Sequence, residues 1–354
     1  MGYWEQRRVL VTGGGSFIGS HLVEALVGRG AHVRVADDFS SGRRENLLAV
    51  RDDVEVRAGD LRQPGFARAA CEDREVVFHL AADHGGRGYV DLHQGACATN
   101  LGLDQAVFAA CLAAGVQKVV FASSGCVYPN HIQTDTTREL YLTEEMVGPP
   151  YDPDGMYGLA KVAGELTLRA LHREHGIGAG SCRYFTVYGP RGVENHAVMA
   201  MIARAFLGED PFVVWGTGEQ VRNWTYVSDI VSGTVLAGEL LDDGSAVNLG
   251  TMERVRVVEA ARLVLELTGH RAGIEAMPWM PTGPMNRVAD NARAREVLGW
   301  RPEVGFAEGL RRTVSWYFAT KDRAEVRGYL GGLLTERPAP EGWQVPAGLA
   351  GRPR

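Results

Sequence analysis

Residues 8–19 read Arg8-Val9-Leu10-Val11-Thr12-Gly13-Gly14-Gly15-Ser16-Phe17-Ile18-Gly19. The opening five residues, mostly apolar and β-branched, predict a short buried strand. Three glycines follow at once, where the chain must turn tightly, and from Phe17 to Leu26 the apolar residues recur at helical spacing. Strand, glycine turn and helix in immediate succession form the first half of a βαβ unit.

The same alternation continues downstream. Val33-Arg34-Val35-Ala36 predicts a second strand ending in Asp37-Asp38, and Val54-Glu55-Val56 a third leading to Gly59-Asp60-Leu61. Val76 to Leu80 and Lys118 to Ala122 predict two more, with a helix over Leu101 to Ala113 between them. Strands alternating with helices imply the α/β class, with a doubly wound parallel sheet. In such a sheet the loops after Val11, Ala36, Leu80 and Ala122 face one cleft at the carboxyl ends of the strands. Residues 130–155, rich in Pro, Asp and Thr, read as a long loop. The alternation loosens from about residue 190. We therefore expect a sheet domain over 1–189, to which part of 223–252 returns, a smaller C-terminal α/β substrate-binding part over 190–321, and a C-terminal tail over 322–354.

The glycine turn is a candidate dinucleotide site. Glycines let backbone N–H groups approach a pyrophosphate at the start of a helix. Asp37, at the end of the next strand, stands where a carboxylate would bind ribose hydroxyls. It would repel a 2′-phosphate, which favours NAD over NADP; Arg43-Arg44 nearby keep NADP open.

Bulk properties narrow the partners. The chain has 354 residues and a formal net charge of −6, which argues against a bulk nucleic-acid or anionic-membrane partner. Five cysteines (Cys71, Cys97, Cys111, Cys126 and Cys182) include no CxxC pair, so neither a disulfide framework nor a structural zinc site is expected. The N-terminus has no signal-peptide core, and no apolar run is expected to be long enough to span a bilayer. The expected location is cytoplasmic.

Tyr157 and Lys161, four residues apart on a predicted helix, share one face. A cation beside the phenol should lower its pKa, and Tyr157 could then take a proton from a substrate hydroxyl. Ser124, at a strand end, would hydrogen-bond the same hydroxyl. If that strand continues, Cys126 points the same way, and a thiol can exchange protons near neutral pH.

The spacing of Gly13 and Gly19, with the later Tyr157-Gly158-Leu159-Ala160-Lys161, resembles the extended short-chain dehydrogenases/reductases, the family of NAD-dependent nucleotide-sugar epimerases and dehydratases. Further matching pieces are Gly59-Asp60-Leu61, His79-Leu80-Ala81-Ala82, Tyr184-Phe185-Thr186-Val187-Tyr188-Gly189-Pro190, Arg222-Asn223-Trp224-Thr225-Tyr226-Val227-Ser228-Asp229 and Leu298-Gly299-Trp300-Arg301-Pro302. One departure is Ser16, where the family has the middle glycine of its turn. The likeness narrows towards the GDP-mannose 3,5-epimerases on three stretches: Ala82 to Tyr89, Ser123 to Pro129, and the loop holding Gln133, Thr136, Thr137 and Glu144.

The resemblance implies a Rossmann fold, NAD held by Gly13, Ser16, Phe17, Ile18, Gly19, Asp37, Asp60, Leu61, Ala81, Tyr157 and Lys161, and a nucleotide-diphosphate-sugar substrate. It implies catalysis by Tyr157, Lys161 and Ser124, with Cys126 and His196 as the acid–base pair; His196 stands where those epimerases carry a lysine. It places substrate against Gly85, Gly86, Ser124, Cys126 and Thr186, with Arg222 and Arg287 on the diphosphate, and implies a homodimer. The expected activity is transient oxidation at sugar C4 followed by inversion at C3, C5 or both. Gly125-Cys126 stand where 4,6-dehydratases carry Asp-Glu, and Cys126 where decarboxylases carry glutamate, so both readings lose support. A 4-epimerase needs only Tyr157, Lys161 and Ser124 and stays open. A non-catalytic NAD-binding protein would more commonly have lost the tyrosine or the lysine.

Overall fold

The computed structural model describes residues 2–336. The first strand, β1 (Arg8–Thr12), feeds helix α1 (Phe17–Val27) and then β2 (His32–Asp37) and β3 (Val54–Ala58). Helix α2 (Pro64–Cys71), β4 (Val76–His79), the short α3 (Arg87–Leu92), α4 (Gln94–Ala113) and β5 (Lys118–Ser124) follow. The loop expected over 130–155 carries short 3₁₀ turns and a single bridge from Leu142 to Ala289 before α5 (Gly155–His175), β6 (Gly178–Tyr184) and β7 (Val187–Tyr188).

Beyond residue 190 come α6 (Ala197–Leu207), β8 (Phe212–Trp215), β9 (Val221–Arg222), β10 (Thr225–Tyr226), α7 (Val227–Leu240), β11 (Asp243–Leu249), β12 (Val255–Arg256) and α8 (Val257–Thr268). The described chain closes with β13 (Ile274–Met277), β14 (Asn286–Arg287), α9 (Ala292–Leu298), α10 (Phe306–Thr320) and α11 (Arg323–Leu333).

Seven strands form one sheet in the order β11-β6-β5-β4-β1-β2-β3, and every pairing is parallel. The order reverses between β1 and β4, which opens a crevice at their carboxyl ends. Helices cover both faces, so central strands such as Val9-Leu10-Val11 are apolar on both sides and fully buried. The doubly wound α/β expectation holds.

Three expectations need correction. First, α9 also returns to the sheet domain: Ala294, Leu298 and Trp300 join the core built on Val9, Val11 and Phe78. Second, residues 322–336 are no tail. The Asp322 carboxylate accepts the Ala324 and Glu325 N–H groups and starts α11, whose Val326 and Leu330 enter the second core with Val198, Ile202 and Phe206 of α6. The rest of the expected tail, 337–354, lies outside the described residues. Third, α4 is as long and apolar as a membrane span, yet Leu103, Val107, Phe108 and Cys111 are buried against the sheet domain. Its apolar character is that of a core helix.

Candidate active site

The cofactor cradle begins where β1 ends. Gly13 has φ +68°, and a Cβ there would come within 2.9 Å of the Ala81 nitrogen. The left-handed turn and the close approach of the β4 loop both require glycine. Gly19 lies in the first turn of α1, behind Phe17 and Ile18, and the N–H groups at the start of that turn have no acceptor within the helix. Ser16 takes the N-cap position of α1, but its hydroxyl donates to the Gly13 carbonyl at 2.6 Å. The departure from the family pattern thus ties the turn to itself.

Asp37 ends β2. Its Oδ2 accepts the Gly15 N–H and its Oδ1 the Phe39 N–H, both at 2.8 Å, so the carboxylate is braced at the edge of the crevice. Asp60 is held by Arg62, whose hydrogen bonds keep its carboxyl below the ordinary range, and Leu61 is buried beside it. Arg44 stacks over the Phe39 ring at 4.3 Å. A glycine-lined turn at a helix N-terminus, followed by a fixed carboxylate, fits a dinucleotide.

Further along the crevice, β5 stops at Ser124. The strand does not continue to Cys126 as expected. Gly125–Val127 form a 3₁₀ turn in which the Ser124 Oγ accepts the Cys126 N–H at 3.1 Å. This turn, rather than strand alternation, keeps Cys126 beside Ser124. The head of α5 packs against it backbone to backbone: the Asp154 N–H donates to the Cys126 carbonyl at 2.8 Å, and a Cβ at Gly158 would strike that same oxygen. Tyr157 is thereby brought beside Ser124.

Lys161 is buried, its Nζ 4.5 Å from the Phe121 ring centre and 5.7 Å from that of Tyr157. Burial lowers its pKa against the opposing charges of Asp104, Cys126 and Glu165. Asp104 also meets His79 at 2.9 Å, whose other ring nitrogen meets Thr12 at 2.8 Å, so a buried polar chain links the cradle to the lysine's surroundings. The expected lowering of the Tyr157 pKa is not found. Burial pushes it up, and Cys126 and Asp104 add to the rise, because desolvating a phenolate outweighs a cation several ångströms away.

His196 caps α6, and burial pushes its pKa down to about 4. Its ring centre lies 6.0 Å from that of His84, which in turn lies 6.5 Å from Tyr157. A Cβ at Gly86 would strike the Asn195 carbonyl, so the Gly85-Gly86 loop and the loop before His196 meet at a contact only glycine allows. Thr186 lies between β6 and β7, its carbonyl accepting the Thr225 N–H at 2.9 Å.

Arg222 and Arg287 are register partners in β9 and β14. Arg287 donates Nη1 to the Cys126 sulfur at 3.3 Å, Nε to Gln133 at 2.9 Å and Nη2 to Asp154 at 3.1 Å. Arg222 donates to the Val221 and Thr282 carbonyls; burial, then the like charges of Arg287 and Arg87, push its pKa down to about 9. Three guanidinium groups therefore crowd one end of the site. The sequence reading assigned no role to His84, Arg87 or Asp154. Arg87 and His84 lie in the stretch Ala82 to Tyr89, and Asp154 three residues before Tyr157, but only the fold brings Arg87 to Asp154, and His84 to Tyr157 and His196.

Glu194, also unforeseen, is 2% exposed. One oxygen accepts from Tyr317 at 2.9 Å, Tyr329 at 2.8 Å and Lys321 at 2.8 Å. Burial opposes its charge, but Lys321 and these hydrogen bonds bring its pKa below the usual value. The loop that ends in His196 is thus clasped by α10 and α11.

A sequence model described as the NAD dependent epimerase/dehydratase family matches residues 9–250. GDP-mannose 3,5-epimerase 1 of Oryza sativa subsp. indica is 31% identical over 92% of this chain and 86% of its own length. UDP-glucose 4-epimerase of Mycolicibacterium smegmatis is 34% identical over 88% of this chain and 98% of its own. Among solved structures, Thermus thermophilus UDP-glucose 4-epimerase in complex with NAD superposes with a TM-score of 0.79 at 31% identity, covering 89% of this chain and all of that one.

Proposed function

The chain belongs to the NAD-dependent epimerase/dehydratase family, and we propose that within it this protein is an epimerase that oxidises a nucleotide-diphosphate sugar at C4, inverts C3, C5 or both, and reduces C4 again. When bound, NAD supplies the hydride acceptor and donor for C4 and a positive charge beside the Tyr157 phenol. Gly13 and the head of α1 would hold its pyrophosphate, and Asp37 its ribose.

Tyr157 and Ser124 share the sugar C4 hydroxyl, and Tyr157, as the phenolate that the cofactor's charge would favour against the rise caused by burial, takes its proton as C4 is oxidised. The resulting carbonyl acidifies the C–H bonds at C3 and C5. His196, kept neutral at pH 7 by its burial, can take a proton from one face. Cys126 returns one from the other, and the Arg287 N–H on its sulfur stabilises the thiolate left behind. Arg222 and Arg287 each keep further N–H donors that would serve a diphosphate. The observation that carries this reading is Cys126: a thiol held by a guanidinium stands beside Ser124 and Tyr157 where water-eliminating and decarboxylating relatives need a carboxylate.

The substrate proposed is GDP-mannose or a close analogue, in keeping with the likeness to the rice enzyme. The similar likeness to a UDP-glucose 4-epimerase makes 4-epimerisation of an NDP-hexose or NDP-hexuronate the second reading. The deciding experiment is incubation with NAD and GDP-mannose in deuterium oxide. Deuterium at C3 or C5 supports the first reading. A C4 epimer without deuterium, from GDP-mannose, UDP-glucose or UDP-glucuronate, establishes the second.

A cytoplasmic homodimer completes the proposal. Leu159 and Leu166 are exposed on α5, which packs along α4, and such a two-helix face suits a second copy. Sedimentation of Leu159→Glu/Leu166→Glu against the unsubstituted chain tests it.

A further inference from the structure

Asp154 stands at the N-cap position of α5, yet its carboxylate caps no helix N–H. It is 6% exposed. A single oxygen, Oδ2, accepts Arg87 Nη1 at 2.8 Å and Arg287 Nη2 at 3.1 Å. Its main-chain N–H donates to the Cys126 carbonyl. Arg87 opens α3 directly behind Gly86 and also pairs with Asp91 one turn on. Arg287 arrives from β14, more than a hundred residues downstream, and reaches the Cys126 sulfur. One carboxylate therefore joins the Gly85-Gly86 loop, the strand that carries Arg287, and the head of the helix that carries Tyr157. Burial disfavours its charge, but the two guanidinium groups bring its pKa below the ordinary range, so it is ionised at neutral pH.

We infer that Asp154 is a positioning residue for proton transfer: by drawing Arg87 and Arg287 onto one oxygen, it aims the Arg287 guanidinium at the Cys126 sulfur. The inference rests on Cys126 being the acid–base residue proposed above. A guanidinium is a planar fork with fixed donor directions, so Arg287 can serve Gln133, Asp154 and the sulfur together only in one pose. Without the carboxylate that pose loses its anchor, and the sulfur loses a charged donor. A carboxylate acting by charge alone would do the opposite. It would dampen the positive field at the thiol, and its removal would favour the thiolate.

The two roles predict opposite signs in an assay that needs no substrate. Cys71, Cys97, Cys111 and Cys182 are buried, while Cys126 is partly exposed, so iodoacetamide alkylation of the NAD-loaded full-length protein reads Cys126. At neutral pH, Arg287→Gln should slow alkylation at least fivefold and Asp154→Asn at least threefold. The double variant should be no slower than Arg287→Gln alone, because both act through one contact. Faster alkylation in Asp154→Asn, or slowing that multiplies in the double variant, overturns the inference.

Asp154→Glu is the second variant, in case Asn impairs folding. It keeps the charge but moves it by one methylene. A positioning role loses at least twofold in alkylation rate, whereas no change there overturns it. In deuterium exchange, Asp154→Asn should lower the turnover rate at least tenfold and change KM less than threefold. No exchange by the unsubstituted protein would sink the epimerase reading, whereas alkylation reads the aiming of Arg287 by itself.

Discussion

The Ser16 hydroxyl donates to the Gly13 carbonyl at 2.6 Å, closing the cofactor turn with a side chain where the family pattern has a bare glycine. The bond holds the turn's shape before any ligand arrives. Ser16→Ala should cost about 1 kcal/mol, seen as a lower urea midpoint and NAD binding weaker by roughly fivefold in calorimetry. Unchanged NAD affinity would mean that α1 alone fixes the turn.

Cys126→Ser and Tyr157→Phe should separate the two halves of the reaction. With Tyr157→Phe, C4 oxidation and carbon-bound exchange should both fall at least about a hundredfold, the usual worth of a general base. With Cys126→Ser, C3/C5 exchange should fall as far, while single-turnover NAD reduction, followed by absorbance, survives. Exchange that persists in Cys126→Ser removes the thiol from the mechanism.

His196 gives stability a pH dependence of definite sign. Its pKa is about 4 in the fold against 6.5 for the free side chain. Between these values the unfolded chain binds the extra proton, so stability contributed by the neutral ring is complete above about pH 6.5 and is lost as pH falls towards 4. The full effect is roughly 3 kcal/mol. Urea unfolding at pH 4.5, 5.5 and 7 should show the slope in the unsubstituted chain and a shallower one in His196→Gln. Parallel curves would place His196 in water.

Glu194→Gln keeps an acceptor for the two tyrosines but leaves Lys321 without its carboxylate partner. Breaking a largely buried pair should cost roughly 3 kcal/mol. Hydrogen exchange should speed up first in α11 and in residues 190–196, where the clasp acts. Exchange that rises evenly over the whole chain would show that Glu194 serves global stability only.

Most of the fold was legible because it rests on local pattern. Apolar strands, the glycine turn and Asp37 all speak through near neighbours in sequence. The site was legible only in part. Tyr157, Lys161 and Ser124 could be read from helix spacing and a strand end. Cys126 was placed near Ser124 for the wrong reason, since a 3₁₀ turn, not a continued strand, puts it there. The rise in the Tyr157 pKa depends on desolvation, which no spacing encodes. Asp154, Arg87 and Glu194 act through partners 67 to 135 residues away, and such pairings exist only once the chain is packed. For the same reason α11 does not stand out in the sequence: its few apolar residues make sense only against α6.

The clasp on Glu194 also sets the order in which this molecule can become competent during synthesis. The Rossmann strands up to β6 and the loop bearing His196 leave the ribosome well before Tyr317, Lys321 and Tyr329 do. Until those three emerge, a carboxylate meant for the interior has only water to bind, and the loop it anchors has nothing to close against. The core under the cofactor cradle closes once Trp300 has joined it, whereas the pocket wall bearing His196 waits for Tyr329. A chain cut short before α11 would keep Tyr317 and Lys321 but lose Tyr329 and the packing of Val326 and Leu330 on α6, leaving the His196 side of the pocket unfinished.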